Sequence, residues 1–277
     1  MGQAAADRAC TFAANRAVGS IGLAVRASGA VTRRARVRED GPLRIRCPGP
    51  ISDELEAVIV NTAGGVAGGD RLTLDVIVEP DARLVITTAA AEKVYRALDA
   101  AATIDMKLSV GARASLAWMP QEMILFDRAR LKRAIDIDLA ADARLLLAEA
   151  IVFGRSGMGE AVHDGFLFDR WRLRRGGRLI HAEATRFDGA IARKLAQPAV
   201  AKGGTALATV LIVPGDEVTA ASVRAVSDQL RGEAGVSTWN GLAVARLCAA
   251  SGEVLRHDLV AVLSALRGVA LPRLWLN

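Results

Sequence analysis

One short phrase occurs four times along the chain and constrains its fold more than any other feature. An Asp or Gly, one spacer residue and an Arg precede a run of small, apolar and β-branched residues. The four arginines lie 30 to 34 residues apart, at Arg83, Arg113, Arg144 and Arg178. Self-similarity at such a period is typical of stacked repeats, and each run has the length and composition of a strand. The sequence therefore predicts a mainly β fold, a layered, β-helix-like stack of strands.

The fifth residue after each arginine indicates which polar side chains enter the interior of such a stack. These residues are Thr88, Trp118, Glu149 and Glu183. Successive side chains of a strand point to opposite faces, so each of the four shares a face with the leucines of its own run. Glu183, for example, is predicted to lie on the same face as Leu179. We therefore expect two carboxylates to point inward rather than towards solvent.

Two interpretations of the inward carboxylates remain open at this stage. A buried carboxylate is normally paired, protonated or next to water, because an unpaired charge is costly to bury. Glu149 and Glu183 are therefore either members of structural ion pairs or, with His181, ligands for a cation in a partly hydrated interior. Glu92 and Glu122 each follow their arginine by nine residues and are expected to be neighbours, and the segment that begins at Glu92 is either a solvated edge, part of the same route or a docking face.

The composition limits the classes of protein to which the chain can belong. With 277 residues, 52% of them hydrophobic, the chain can bury a large core and is expected to need a partner surface. The net charge of +6 is spread along the chain and aromatic residues are only 4%, which favours an acidic protein partner over nucleic acid. No apolar run is long enough for a bilayer and no secretory signal begins the chain, so we expect no membrane association and a cytoplasmic location.

The cysteines and histidines argue against a permanent metal site. Three widely separated cysteines predict reduced thiols and no disulfide framework, namely Cys10, Cys47 and Cys248. The three histidines share no short ligand spacing, at positions His163, His181 and His257. We therefore expect no permanently bound metal or other cofactor.

A glycine-rich segment at 61–70 follows a predicted buried strand at 55–60. Its four glycines imply backbone at positive φ or in close approach to another segment. The segment lacks the lysine and hydroxyl residue of a phosphate-binding loop and leads into a strand, so a tight reversal is favoured over a nucleotide site. Asp70 at its end is predicted either to cap the turn or to face the interior.

The last third of the chain changes to an α+β pattern. Apolar residues have helical spacing at 218–231 and 255–267, and 239–248 is predicted to be one strand. We predict a single domain over 1–277, with the stacked β region at 1–200 and an α+β subregion at 201–277 packed on its end.

Several motifs spread over most of the chain are similar to those of one known family. They are NTAGGVAGGDR at 61–71, TT at 87–88, AEKVYR at 91–96, WMPQEMILFD at 118–127, LAE at 147–149, WNGL at 239–242 and LPRLW at 271–275. The glycine-rich loop alone would not be specific, but the combination of motifs is, and it resembles the urease accessory protein UreD, called UreH in some organisms.

The resemblance implies an assembly factor and not an enzyme. UreD proteins are β-rich, bind the accessory protein UreF, which carries the GTPase UreG, and bind the urease apoprotein during nickel insertion. An internal tunnel has been proposed to carry nickel in this family. For this chain the resemblance implies transient contact with Ni²⁺ and no permanently bound cofactor.

We accordingly expect a hydrated interior lined by Asp70, Glu149 and Glu183, aided by Thr88 and Glu122. Weak, sequential carboxylate contacts suit transit, whereas a thiolate or multi-histidine site would retain nickel. A second hypothesis is a pure scaffold that holds urease and the GTPase module together while nickel passes elsewhere. A third is a carbohydrate-active β-solenoid enzyme with a carboxylate pair, which would need a groove lined by aromatic residues.

Overall fold

The chain forms two facing sheets, and its central strands alternate between them, in a computed structural model that describes residues 16–48 and 53–276. The seven-stranded sheet contains, in spatial order, β14 (Arg178–Asp188), β13 (Phe166–Arg175), β11 (Arg130–Leu139), β8 (Ala102–Val110), β5 (Arg71–Val78), β1 (Val18–Ser28) and β2 (Val31–Asp40). The ten-stranded sheet contains β16 (Glu233–Trp239), β17 (Leu242–Ala249), β15 (Ala206–Val213), β12 (Arg144–Phe153), β9 (Ser115–Trp118), β6 (Arg83–Thr88), β4 (Leu55–Asn61) and β3 (Leu43–Arg46), with β7 (Glu92–Val94) and β10 (Met123–Leu125) beside this row. The helices are α1 (Ile191–Leu195), α2 (Glu217–Arg224) and α3 (Gly252–Leu266), with short 3₁₀ turns at Ser156–Met158, Ser227–Gln229 and Arg273–Trp275.

The central strands form a parallel coil. Strands β4, β6, β9 and β12 are parallel neighbours in the ten-stranded sheet, and β5, β8, β11 and β13 are parallel neighbours in the seven-stranded sheet. The chain thus crosses from one sheet to the other between these strands. The short strands β7 and β10 lie in two of the crossings and pair with each other, and β10 also pairs with β12. This arrangement confirms the predicted β-helix-like stack.

Three of the four arginine-led segments stack on one another, and the fourth does not. Arg83 and Arg144 each begin a strand, and both lie opposite Ser115, the first residue of β9. Arg113 therefore comes two residues before its own strand, in a turn at φ +55°. Arg178 begins β14, which pairs antiparallel with β13 in the other sheet. The reason is the tight turn at 176–177, where both glycines have positive φ, because a two-residue hairpin returns the chain to the same sheet.

The C-terminal region extends the ten-stranded sheet and covers its outer face. Strand β15 pairs antiparallel with β12 and is followed by β17 and β16. Helix α3 buries four apolar side chains against the outer face of that sheet, at Leu255, Leu259, Val262 and Leu263. The region therefore lies at the end of the coil and also along its side, while the division into domains stays a prediction. Among the described residues no helix is long and apolar enough to span a bilayer.

Two predictions in the C-terminal region were wrong in detail. The strand expected at 239–248 starts only at Leu242, because Asn240 and Gly241 both adopt positive φ and reverse the chain between β16 and β17. The helix expected at 218–231 ends at Arg224 and is followed by a 3₁₀ turn. Both Arg231 and Gly232 then donate backbone hydrogen bonds to the buried Asp258 carboxylate, which draws the chain away from a helical path.

Candidate functional site

A buried ion cluster joins the two sheets. Arg133 on β11 donates two hydrogen bonds to Asp169 on β13, from Nε to Oδ1 at 2.9 Å and from Nη2 to Oδ2 at 2.5 Å. Its Nη1 donates to Oε2 of Glu149, which lies on β12 of the opposite sheet. The other oxygen of Glu149 accepts a hydrogen bond of 2.7 Å from Trp118 Nε1. Every carboxylate oxygen of the cluster is therefore engaged.

The charges in this cluster stabilise one another. Burial disfavours the charged form of Arg133, but Asp169 and then Glu149 outweigh burial and raise the pKa of the guanidinium well above its usual value. Burial raises the pKa of Glu149, and the charge of Arg133 opposes that rise. With both carboxylates ionised, the cluster has one positive and two negative charges and carries a net charge of −1.

A cavity of about 420 Å³ lies beside the ion cluster, between β13–β14 and β15–β17. Its wall includes Glu149 from the ten-stranded sheet and both Asp169 and Glu183 from the seven-stranded sheet. The two carboxylates singled out in the sequence are therefore brought to one cavity from opposite sheets, and Asp169 adds a third.

Glu183 is held by two basic neighbours at the wall of this cavity. Arg246 Nη2 donates to Glu183 Oε2 at 2.7 Å, and His181 Nε2 lies 3.4 Å from the same oxygen. The His181 ring and then Arg246 lower the pKa of Glu183 below its usual value. The prediction that Leu179 shares this face was wrong, because Ile180 is left unpaired by a β-bulge that reverses the alternation, and Leu179 is 48% exposed.

A second, smaller cavity of about 70 Å³ lies on the other side of Arg133 and Glu149. Its polar wall includes Thr88, Glu92 and Gln121. Thr88 Oγ1 accepts a hydrogen bond of 2.9 Å from the backbone N–H of Gln121. Thr88 therefore faces the interior as predicted from its position, although in a different cavity from Glu183.

Asp70 and Glu122 line neither cavity. The Asp70 carboxylate accepts backbone hydrogen bonds from Ala17 at 2.9 Å and Ala67 at 2.7 Å, so this residue caps the glycine-rich turn. Glu122 Oε1 accepts a hydrogen bond of 3.0 Å from Arg256 Nη1 on helix α3, so its side chain faces the helical side of the sheet. The equal spacing from their arginines did make Glu92 and Glu122 neighbours, since the Glu92 backbone N–H donates a hydrogen bond of 2.9 Å to the Glu122 carbonyl oxygen.

The cysteines contribute little to a metal site. Cys47 and Cys248 are free thiols, and Cys10 lies outside the described residues. Burial raises the pKa of both free thiols, although Cys248 lines the larger cavity, so they are weak thiolate donors at neutral pH. Over 16–48 and 53–276, no three His, Cys, Asp or Glu side chains converge as a metal-binding group. Glu149, Asp169 and Glu183 are held in ion pairs instead.

Arg133 and Asp169 were not singled out by the sequence, although a signal for both was present. Arg133 lies on the same strand face as the buried Leu131 and Ile135, two residues from each. Asp169 likewise shares a face with the buried Leu167. A charged residue at an inward position of an apolar alternation indicates a buried ion. The unbroken alternation of these strands would have located both members of the cluster.

Glu92 is an acid of this interior whose charge changes near neutral pH. Burial raises its pKa from 4.5 to about 7, hydrogen bonds of 3.2 and 3.3 Å from Asn61 Nδ2 oppose the rise, and Asp70 adds to it. The folded state thus holds the Glu92 proton more tightly than the unfolded chain.

Glu92→Gln is expected to reduce the pH dependence of stability between about pH 4.5 and 7. In the wild type, protonated Glu92 contributes stability that is complete below 4.5 and is lost as pH rises through 7. Glutamine does not titrate, so urea unfolding across this range should show a steeper fall with pH for the wild type. The exposed Glu217→Gln change serves as the control, and parallel wild-type and E92Q curves would refute the expectation.

Comparison with known proteins decides the family. Residues 17–276 match the family model described as UreD urease accessory protein. This protein belongs to the UreD family. It is 55% identical over 267 residues to the urease accessory protein UreD of Rhodopseudomonas palustris strain CGA009, covering 96% of each chain. It is also 53% identical over 274 residues to the urease accessory protein UreD 3 of a Bradyrhizobium species, covering 99% of this chain and 98% of that relative. As a UreD-family protein it is a urease accessory protein and not an enzyme.

Proposed function

We propose that this UreD-family protein acts in the cytoplasm with UreF and UreG to insert nickel into the urease apoprotein, and that nickel passes transiently through its interior. The observation that carries the route is the larger cavity, where Glu149 and Glu183 from opposite sheets meet with Asp169. Carboxylate oxygens are hard donors, which suit brief contact with nickel better than thiolates or clustered imidazoles would.

The second cavity supports a route that is longer than one pocket. It adjoins the first at Arg133 and Glu149 and adds Thr88 and Glu92 to the polar wall. Its small volume of about 70 Å³ leaves room for few water molecules. A nickel ion in it would depend on direct contacts with the wall. Asp70 and Glu122 have no place in this revised route.

Strand β2 supports attraction to an acidic protein surface. It is the outer strand of the seven-stranded sheet and is exposed along almost its entire length. Four arginines lie on it, at Arg33, Arg34, Arg36 and Arg38. A concentrated positive charge of this kind accelerates association with a partner of opposite charge.

A pure scaffold is the second candidate function, and the ion pairs favour it. Glu149 and Asp169 are paired with Arg133, and Glu183 is paired with Arg246. Carboxylates that are fully engaged with arginines are also expected in an interior that only holds its sheets together. In that case nickel reaches urease by another path and the protein supplies only the binding surfaces.

The double variant E149Q/E183Q separates the two candidates. Glutamine keeps the size of each side chain and removes the charge that attracts a cation, so we expect UreF, UreG and urease to co-purify with it as with the wild type. If nickel uses the route, urease activity and urease-bound nickel should fall by about tenfold or more. The exposed Glu217→Gln change is the control, since it removes a charge far more accessible to solvent. Undiminished activation in E149Q/E183Q would reject the route and leave the scaffold.

A further inference from the structure

The two cavities of the interior meet at a fixed positive charge. Among the residues that line them, Arg133 and Glu149 are the two shared by both walls. We propose that Arg133 is an internal gate, whose guanidinium occupies the carboxylate site that a divalent cation needs at this junction. The inference rests on the proposed function for its biological meaning, but its chemistry can be tested without urease.

Hydrogen bonding shows why a cation cannot simply join the cluster. Asp169 uses both oxygens to bind Arg133, and Glu149 uses one oxygen for Arg133 and the other for Trp118. A metal ion that took these oxygens in place of the guanidinium would leave Arg133 charged and unpaired in the interior. A metal ion that entered beside the guanidinium would face a like charge where little solvent screens it. The junction therefore admits a cation only when Arg133 moves away.

The larger cavity provides space and alternative partners for that movement. Arg133 lies on its wall, together with Glu183 and Glu233. A guanidinium that turned into this cavity would share Glu183 with Arg246 and Glu233 with Lys202, so carboxylates would still compensate its charge. Glu149 and Asp169 would then face each other across the two sheets, with Trp118 still holding one oxygen of Glu149. This pair would offer oxygen ligands to a divalent cation.

The closed state should lower the apparent affinity of the wild type for nickel. When only a fraction of molecules has the site free, the apparent dissociation constant equals the intrinsic one divided by that fraction. Removing the guanidinium removes this penalty. Arg133→Gln and Arg133→Met should therefore bind an additional Ni²⁺ about tenfold or more tightly than the wild type does, measured by equilibrium dialysis of the purified full chain against nickel chloride.

Two further variants show whether any tightening belongs to the gate. Arg170→Gln removes a different arginine, on β13, which pairs with Asp136 and lines neither cavity, so its nickel affinity should stay near that of the wild type. The triple variant R133Q/E149Q/D169N lacks both acids and should lose the added affinity. The gate is refuted if R133Q binds nickel no more tightly than the wild type, or if R170Q gains as much as R133Q.

A folding defect in the Arg133 variants still gives a decisive result. If R133Q and R133M do not fold without metal, nickel bound by the freed carboxylates should restore folding, because binding to the native state stabilises it. Failure of nickel to restore either variant overturns the gate. The dialysis result is independent of urease activation, so loss of the gate leaves the E149Q/E183Q test intact, and failure of that test leaves the nickel affinities unchanged.

Discussion

Replacing Arg133 by methionine is expected to lower the free energy of unfolding at neutral pH by about 3–5 kcal/mol. The guanidinium is 4% exposed and compensates two carboxylates that are almost as deeply buried, Glu149 and Asp169. Without it, both acids stay in the interior as unpaired negative charges, 6% and 4% exposed respectively. Urea unfolding of the wild type and of R133M, monitored by tryptophan fluorescence, measures the difference.

The loss in R133M should shrink as pH falls. Burial already raises the pKa of Glu149, and removal of the opposing Arg133 charge should raise it further. An acid whose folded pKa lies above its unfolded pKa contributes stability at low pH that is lost as pH rises. The triple variant R133M/E149Q/D169N leaves no buried charge in the cluster and should recover most of the loss at neutral pH. Equal instability of the triple variant and R133M would show that packing, rather than charge, causes the effect.

Gly65→Ala is expected to lower the free energy of unfolding by about 2–4 kcal/mol. A Cβ at this position would lie 2.4 Å from Tyr95 Cε2 and 2.8 Å from the Lys93 carbonyl oxygen, on a backbone with φ +152°. The neighbouring Val66 donates a backbone hydrogen bond of 2.7 Å to Lys93, so the loop cannot move away without breaking its pairing with β7. The close approach predicted for the glycine-rich segment is therefore present at Gly65.

The adjacent Gly64 is a matched control for that change. Its φ is +74°, but a Cβ there would meet no atom within 4 Å. Gly64→Ala should therefore show only the strain of a left-handed alanine, about 1–2 kcal/mol. Thermal unfolding of the two variants compares the effects directly. If both variants lose the same stability, the contact with Tyr95 and Lys93 is not the cause.

The repeat period and the alternation of strands were enough to predict the coil and the inward direction of Glu149. Glu149 was placed correctly because β12 keeps its two-residue alternation from Leu145 to Glu149 without interruption. Counting from the arginines predicts that Trp118 lies opposite Thr88 and Glu149. It lies opposite Ile86 and Leu147, two residues earlier, because Arg113 lies in a turn. An even offset preserves the face of the sheet, so the inward direction of Trp118 remained correct.

Counting residues along the strands did not predict which residues pair when they are far apart in the sequence. The strand of Glu183 joins the other sheet through a hairpin, and Glu183 nevertheless reaches the cavity of Glu149 because the two sheets face each other. The partners that neutralise these acids come from distant positions, with Arg133 16 residues from Glu149 and Arg246 63 residues from Glu183. Local patterns carry no information about such separations.

By itself, the sequence determined the repeated strands, the family resemblance, the glycine-rich reversal and the inward direction of Glu149. These features depend on steric and hydrophobic preferences that act over a few residues, and the repeat multiplies them. Only the tertiary structure decided that Glu149, Asp169 and Glu183 share a cavity and that Arg133 stands between two cavities. Those facts depend on how two sheets face each other, because charges separated in the chain compensate one another only after the sheets have packed.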